Sequence, residues 1–578
     1  MLRDGELEEH ANGKLRIAKS IPVLTGKVFA HAEGYGFFIP DDKTLTNGED
    51  LYLPYREMRH VMHGDMIEAR MLKNSRKGKR EGKFVRVIEH ANKKIIGRLV
   101  DDYGIKVVKA ENRRIHHKIL ATNLAEVEVE NNHIVEVTIS AYPKNEQPIL
   151  GEITRVLGDK VDIGMEVDIA IVNYNLPHEW PQDVIKQTVA IPDTLLETDY
   201  EGRVDLRQLP LVTIDGITAR DFDDAVFAQK TPTGYKLYVA IADVAHYVRK
   251  DSPLDKEAVN RATSVYFPNR VIPMLPEKLS NGLCSLNPKV DRLCLVCEML
   301  IDFNGEIKRS RFYDAVMYSH ARLTYETVED VLFKQTAELP DEHADLLTPL
   351  QHLKALYDIL RRQRNARGAI DFRTVEPEIE YDAEGKIARI IARKNLQSHQ
   401  LIEEFMVRAN MCAAKFLLKQ QGKNRPIALF RNHQGPSEDK LDNLIAALAQ
   451  EGIKIAKTET ITPKQLAEIV EKIKDHDNFE AIQMLILRSM YQAVYQPDNQ
   501  GHFGLALEHY AHFTSPIRRY PDLLVHRAIK HAVKYKKELY VYSPEQMQQL
   551  GEHCSMAERR ADEAVYDVID HLKCEYMQ

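Results

Sequence analysis

Two kinds of hydrophobic pattern divide the chain. From residue 20 to about 175, short apolar alternations are broken by Gly and Asp turns. They read VLTGKVFAHAEGYGFFIP, EDLYLPY and HGDMIEARML, then IIGRLVDDYGIKVV, AEVEVENNHIVEVTIS, GEITRVL and GMEVDIAIV. Period-two alternation in short runs at roughly 8–12-residue spacing predicts small β-barrels or sandwiches. The grammar runs twice, which predicts two consecutive small β-barrels over 20–92 and 93–175. Residues 1–19 are polar and carry no core of their own, and the Pro-containing NLPHEWPQD opens a linker over 176–199.

Beyond about residue 190 the pattern is mixed. DAVFAQ and YKLYVAIADVAHYV predict strands joined at a TPTG turn. Ser252-Pro253 followed by Asp255 predicts a capped helix start with proline at its first position. LLTPLQHLKALYDILRRQR, LIEEFMVRANMCAAKFLLKQ and AEIVEKIKDHDNFEAIQMLILRSMYQAVY predict helices. Strands with interspersed helices over such a length predict one large mixed α+β domain, residues 200–578.

Within that domain TIDGITARDFDDAV puts Asp215, Asp221, Asp223 and Asp224 within ten residues, with Arg220 as the one cation. Carboxylates that close repel unless something positive sits among them. VTIDG reads as a buried strand that delivers Asp215 at its end, and Asp221 and Asp223 share a side if the segment is extended. Carboxylate oxygens are the hard ligands that Mg²⁺ prefers, and the spacing does not match an EF-hand. The group suits phosphodiester hydrolysis by one or two ions, with Mn²⁺ as a substitute. An Asp-rich cap and turn is the competing reading. FTSPIRRYPDLLVHR supplies proline-bracketed Arg518 and Arg519, suited to phosphate contact and to charge developing on phosphorus. A structural pair with Asp522 is the alternative for Arg519.

Aromatic residues add a second chemistry. In EGYGFFIP, Tyr35, Phe37 and Phe38 present rings on a strand, as single-strand binders do to stack bases. The segment resembles the aromatic strand of cold-shock domains, and at least one of the three rings must be core. Lys73–Arg86 holds seven basic residues against one acidic, either a solvated hairpin tip or a guide for RNA.

Composition narrows the setting. The 578 residues are 44% hydrophobic and 29% charged, ordinary for a globular protein. No run approaches the ~20 apolar residues of a membrane span, and the charged N-terminus is not a secretory signal. Six sparse cysteines suit a reducing cytoplasm, and Cys294 and Cys297 read as buried strand residues rather than a zinc or redox pair. The net charge of −7 argues only weakly against a nucleic-acid partner, because clustered basic residues decide that question.

TIDGITARDFDDAV, IADVAHYV, TSVYFPNRVIPMLPEKLSNGLCSLNP and HFTSPIRRYPDLLVHRAI together resemble the RNB (ribonuclease II) family of 3′→5′ exoribonucleases. The resemblance implies two cold-shock-like OB domains, an RNB catalytic domain and a C-terminal S1 domain. On it the chain is truncated at both ends. It stops at HLKCEYMQ where the S1 domain is expected, and residues 1–19 look like a remnant of a helix-turn-helix region or linker. The implied reaction is processive hydrolysis of RNA from its 3′ end to nucleoside 5′-monophosphates with Mg²⁺. Substrates are single-stranded 3′ ends and 3′-overhang duplexes, acted on by a cytoplasmic monomer with no obligatory protein partner. Carried over by motif, Asp215, Asp221, Asp223 and Asp224 bind metal, Asp223 and Arg518 are catalytic, and Tyr266 in SVYFP and Phe372 in AIDFRT clamp the terminal bases. Glu558 in SMAERRADEA matches an acid near the RNA 3′ end, whereas Tyr325 and Glu404, with Glu403 a close rival, are matched to the ribose. A non-catalytic cold-shock-type RNA-binding protein and a metal-dependent DNA nuclease or phosphatase are the competing classes. The first leaves the aspartates unexplained, and a matched RNA and DNA substrate separates the second.

Overall fold

The computed structural model describes residues 7–9, 15–17, 23–46, 48–76, 79–144, 147–158, 164–372, 376–382, 386–422, 424–453, 460–535 and 537–577. Most of the expected 1–19 remnant and the side chains at the tip of the basic hairpin, 73–79, lie outside the described residues. The chain divides into two compact units, residues 1–177 with 382–386 and 566–578, and residues 178–381 with 387–565.

The first unit holds two closed five-stranded barrels, the arrangement that the alternating runs predict. Strands Val23–Ala30, Gly36–Pro40, Leu51–Leu53, Met66–Arg76 and Lys79–Glu89 make one. Its core contains Val28, Phe38, Leu51, Leu53 and Ile67, each from the inward side of its strand. Strands Lys94–Asp102, Ile105–Ala110, Lys118–Ala121, Ile134–Ala141 and Ile149–Gly158 make the other, around Ile95, Leu99, Val108, Ile119 and Val137.

Three expected elements differ. GMEVDIAIV, read as a strand, is the helix Met165–Asn173. Its apolar residues also fit helical spacing, burying Val167, Ala170 and Ile171, and Glu166 and Asp168 in the first turn favour the helix dipole. AEVEVE before Ile134 forms no strand. The expected linker 176–199 carries the helix Gln182–Ala190, whose Val184 and Thr188 are buried one turn apart.

The second unit is built on a seven-stranded mixed sheet. Its order is Val204–Asp205, Ile307–Tyr318, Asp291–Asp302, Gly234–Ala242, Asp224–Thr231, Val212–Asp215 and Ala321–Thr324. Apolar clusters cover both faces. One includes Leu356 and Leu360 of helix Leu347–Arg367 with Leu401 and Phe405 of helix Gln397–Leu418, and the other includes Leu523 and Leu524 of helix Tyr520–Lys534. Cys294 and Cys297, three apart on one strand, fall in opposite clusters, so they cannot ligate one ion together.

Candidate active site

The sheet presents the aspartates. Val212–Asp215 pairs in parallel with Ala321–Thr324 and buries Val212 and Ile214, so Asp215 emerges at the strand's end. The chain loops outward and re-enters the sheet at Asp224, the first residue of Asp224–Thr231.

Two residues hold that loop. Arg322 donates from Nη2 to the carbonyls of Ile217 at 2.6 Å and Gly216 at 3.2 Å, and its guanidinium lies 5.2 Å from the centre of the Phe222 ring. Opposite, the Phe222 N–H donates to Ser285 Oγ at 2.9 Å, and that hydroxyl donates to the Arg220 carbonyl at 2.8 Å. Buried Phe222 therefore separates Asp221 from Asp223, and the two carboxylates meet different partners. Tyr266 donates its hydroxyl to Asp221 Oδ2 at 2.6 Å, whereas Asp223 Oδ1 accepts from the Ile517 backbone N–H at 2.9 Å.

The Ile517 bond brings in the arginine turn. Arg518 Nε lies 3.6 Å from Asp223 Oδ2, and its side chain keeps 44% of its exposure. Arg519 turns the other way and pairs with Asp522 at 2.8 Å inside the protein. Asp522 also accepts from the Ser515 N–H at 2.8 Å, so the second arginine of SPIRR is a scaffold for the first.

The cluster is short of positive charge. Burial, then the charge of Asp221, pushes Asp215 up to about 6, against the pull of Arg322 and Arg518. Burial raises Asp223 well above the usual carboxylate range despite Arg518 and the Ile517 N–H. Burial and Asp215 do the same to Asp224. Oδ2 of Asp215 is buried without a hydrogen-bond partner. An orphaned carboxylate oxygen among charge-starved, all-oxygen donors fits Mg²⁺. As the side chains lie, no three such groups among the described residues converge closely enough to enclose an ion.

Around this centre, Tyr325 lies in the field of Asp215 and Asp224, and its ring centre is 4.1 Å from that of His399. Glu558 makes a two-pronged pair with Arg431, at 2.7 and 3.1 Å, and the Arg431 guanidinium sits 4.5 Å from the centre of the Tyr495 ring. Phe372 packs, half-buried, against the separate helical cluster of Leu448, Leu466 and Ile486.

Two expected contacts fail. Glu404 is 1% exposed and faces Arg364 at 3.3 Å, so its carboxylate has no open path to a ribose, whereas Glu403 is 49% exposed and pairs with the same arginine at 2.9 Å. Phe38 is fully buried in the barrel core and cannot stack on a base. Tyr35 and Phe37 lie on the other side of that strand, with ring centres 5.9 Å apart, and Tyr52 joins them at 5.6 and 6.1 Å. Tyr52, Arg322, Ser285, His399 and Arg431 were not selected from the sequence. For Tyr52 the alternation of DLYLPY carried a signal; the others act through long-range pairing.

Comparison with known proteins agrees with the fold, two barrels followed by a mixed α+β unit. The RNB domain family matches residues 203–535, the Ribonuclease B OB domain 26–87 and the cold shock domain 108–181. Ribonuclease R of Vibrio parahaemolyticus is 44% identical over 589 residues, which take in 100% of this chain and 70% of that protein. Mycoplasma genitalium RNase R in complex with ribose methylated single-stranded RNA superposes with a TM-score of 0.87 at 28% identity, covering 95% of this chain and 86% of that one. The same enzyme in complex with double-stranded RNA gives 0.79 at 28% identity, over 89% and 88%.

Proposed function

The chain belongs to the RNB family of exoribonucleases, and on that premise we propose that it shortens RNA processively from the 3′ end, releasing nucleoside 5′-monophosphates with Mg²⁺. Single-stranded 3′ ends and duplexes with a 3′ overhang are its substrates, and it acts as a monomer without an obligatory protein partner. Unpaired cysteines support a reducing, cytoplasmic setting. The observation that carries the reading is the meeting of buried, charge-starved Asp223 with half-exposed Arg518.

Asp215, Asp221, Asp223 and Asp224 are the residues that would hold the ion. When bound, Mg²⁺ supplies a Lewis acid that makes water a better nucleophile and offsets charge on the leaving oxygen. Arg518, anchored at one end to Ser515 Oγ at 3.1 Å, aims its remaining donors at the phosphate and stabilises the charge that builds there. Tyr266, exposed beside Asp221, and Phe372 hold the last bases so that the scissile phosphate rests over the carboxylates. Tyr325 reads the ribose, with Glu403 the more accessible of the two adjacent acids. Tyr35 and Phe37 stack bases on the first barrel.

The test is a matched pair of 5′-labelled single strands, one RNA and one DNA, incubated with Mg²⁺. Stepwise shortening of the RNA alone, with mononucleotide product, supports the reading. Equal cleavage of the DNA, or internal cuts, refutes it.

A further inference from the structure

The catalytic unit contains a second concave site, about 900 Å³, whose lining includes none of the four aspartates. Its walls are built by backbone pairing. The His433 N–H donates to Gly501 O at 3.1 Å, Phe503 N–H donates to His433 O at 2.8 Å, and His502 and Leu507 exchange bonds of 2.7 and 3.2 Å. Two glycines permit close approaches. A Cβ on Gly435 would lie 2.7 Å from the Phe503 ring, and one on Gly368 would lie 2.6 Å from the Lys464 Cα. The Ile370 N–H donates to Gly504 O at 3.0 Å, so the stretch leading to Phe372 is tied to the cavity wall.

The lining has three chemistries. Lys464 is an exposed ammonium at the start of helix Pro463–Ile473. The Arg367 guanidinium is oriented by the Leu505 carbonyl at 3.1 Å and has no carboxylate partner among the described residues. Burial, then the neighbouring Arg408, pushes it down to about 10, against the pull of Glu404. Phe503 and the His433 and His502 rings, the latter two 4.9 Å apart, give ring surface, while exposed Gln434, whose Nε2 donates to Gln500 Oε1 at 2.7 Å, offers an amide oxygen. Glu508 stands exposed at the rim.

The geometry points to this cavity as a second nucleotide-binding site, taking a phosphate against Lys464 and Arg367, a base against the rings and its edge against the Gln434 amide. Its volume lies in the range of ordinary ligand sites. The inference rests on the RNA reading above and extends it, because the stretch leading to Phe372 is bonded to this cavity's wall. The same chemistry has two sources: a nucleotide of the bound strand, or a free nucleoside 5′-monophosphate.

The experiment measures dissociation constants by fluorescence anisotropy, with EDTA present to prevent cleavage, for oligoribonucleotides of increasing length. Wild type is compared with Lys464→Glu and with Gln434→Ala, and calorimetry with adenosine 5′-monophosphate forms a second arm. Circular dichroism melts check that each variant is folded. A strand source predicts that wild-type affinity steps up once the strand outreaches Phe372 and that the variants lose about tenfold of that step, the scale of one charge-assisted contact. A mononucleotide source predicts adenosine 5′-monophosphate binding that weakens by a similar factor. Superimposed length curves together with unchanged mononucleotide binding overturn the proposal. Wild-type cleavage with Mg²⁺ is scored separately, so failure of the exonuclease reading is distinguishable from failure of the cavity alone.

Discussion

The backbone N–H of Ile517 donates to Oδ1 of Asp223 at 2.9 Å, across 294 residues of sequence. This bond makes one site of two motifs. The SPIR turn brings an arginine to the aspartate cluster, and Asp223 accepts its anchor from the turn rather than from its own loop.

Arg518 and Arg519 have opposite roles, and substitutions should separate them. Arg518→Ala should lower kcat by about 10²–10³, the usual cost of one transition-state donor, with little change in thermal stability. Arg519→Ala strands buried Asp522 without its cation and should instead destabilise the fold by about 3–5 kcal/mol. Single-turnover kinetics and thermal melts on both variants check this. A stable, inactive Arg519→Ala would contradict the assignment.

Arg322 fixes the loop between Asp215 and Asp221 through the carbonyls of Gly216 and Ile217. Arg322→Ala should raise the Mg²⁺ concentration for half-maximal activity by about tenfold or more, since each lost charge-assisted bond is worth ~1.5–3 kcal/mol. Arg322→Lys, which keeps a cation but loses the planar guanidinium set beside the Phe222 ring, should fall between. A Mg²⁺ titration identical to wild type would remove Arg322 from the account.

Tyr266 contributes a ring and a hydroxyl separately. Tyr266→Ala should weaken RNA binding by about 1–3 kcal/mol, the range for one stacked base. Tyr266→Phe keeps the ring, frees Asp221 from its 2.6 Å bond and should bind RNA within a few-fold of wild type. Equal losses for both variants would assign the effect to the hydroxyl.

Acid should destabilise the second unit before the active site is considered. Burial holds His526 neutral, pushing it down to about 4 despite its bond to Phe513 O. Burial and the neighbouring His433 push His502 down to about 3. The unfolded chain gains these protons near the ordinary histidine pKa of about 6.5, whereas the folded chain refuses them until the lower values. The histidine contribution to stability should therefore be flat above about pH 6.5 and fall below it, by up to ~1.4 kcal/mol per pH unit per histidine, opposed by the raised carboxyls of Asp215, Asp223 and Asp224. Melts from neutral to mildly acidic pH give the slope, and replacing His526 with Gln should make it shallower. Identical pH slopes for wild type and His526→Gln contradict the account.

Much of this was readable locally. VTID delivers Asp215 at a strand end because Val212 and Ile214, two apart, bury on one face, and Ser252, Pro253 and Asp255 cap a helix as their types require, with a 3.2 Å bond from the Asp255 N–H. In GFFIP, residues two apart share a face, so Phe37 and Phe38 had to part. Which of them was core depended on the strands Val23–Ala30 and Leu51–Leu53 that flank them. GMEVDIAIV fits both a two-residue and a helical period, and packing decided for the helix. Glu404 next to Glu403 in LIEEF gave no local clue to which faced inward, since Arg364 lies 40 positions from Glu404. The partners of Asp223, Glu558 and Asp221 all lie far away in sequence, and residue type alone does not encode such pairings.

The most direct test of the central claim compares wild type with Asp223→Asn on a 5′-labelled single-stranded RNA in Mg²⁺. The substitution keeps an oxygen for the Ile517 N–H and removes only the negative charge. The account predicts that wild type shortens the strand stepwise to a short 5′ remnant and releases 5′-monophosphates, while Asp223→Asn binds the strand and leaves it whole. Wild-type rates from Asp223→Asn would show that this carboxylate is structural and that the catalytic centre lies elsewhere.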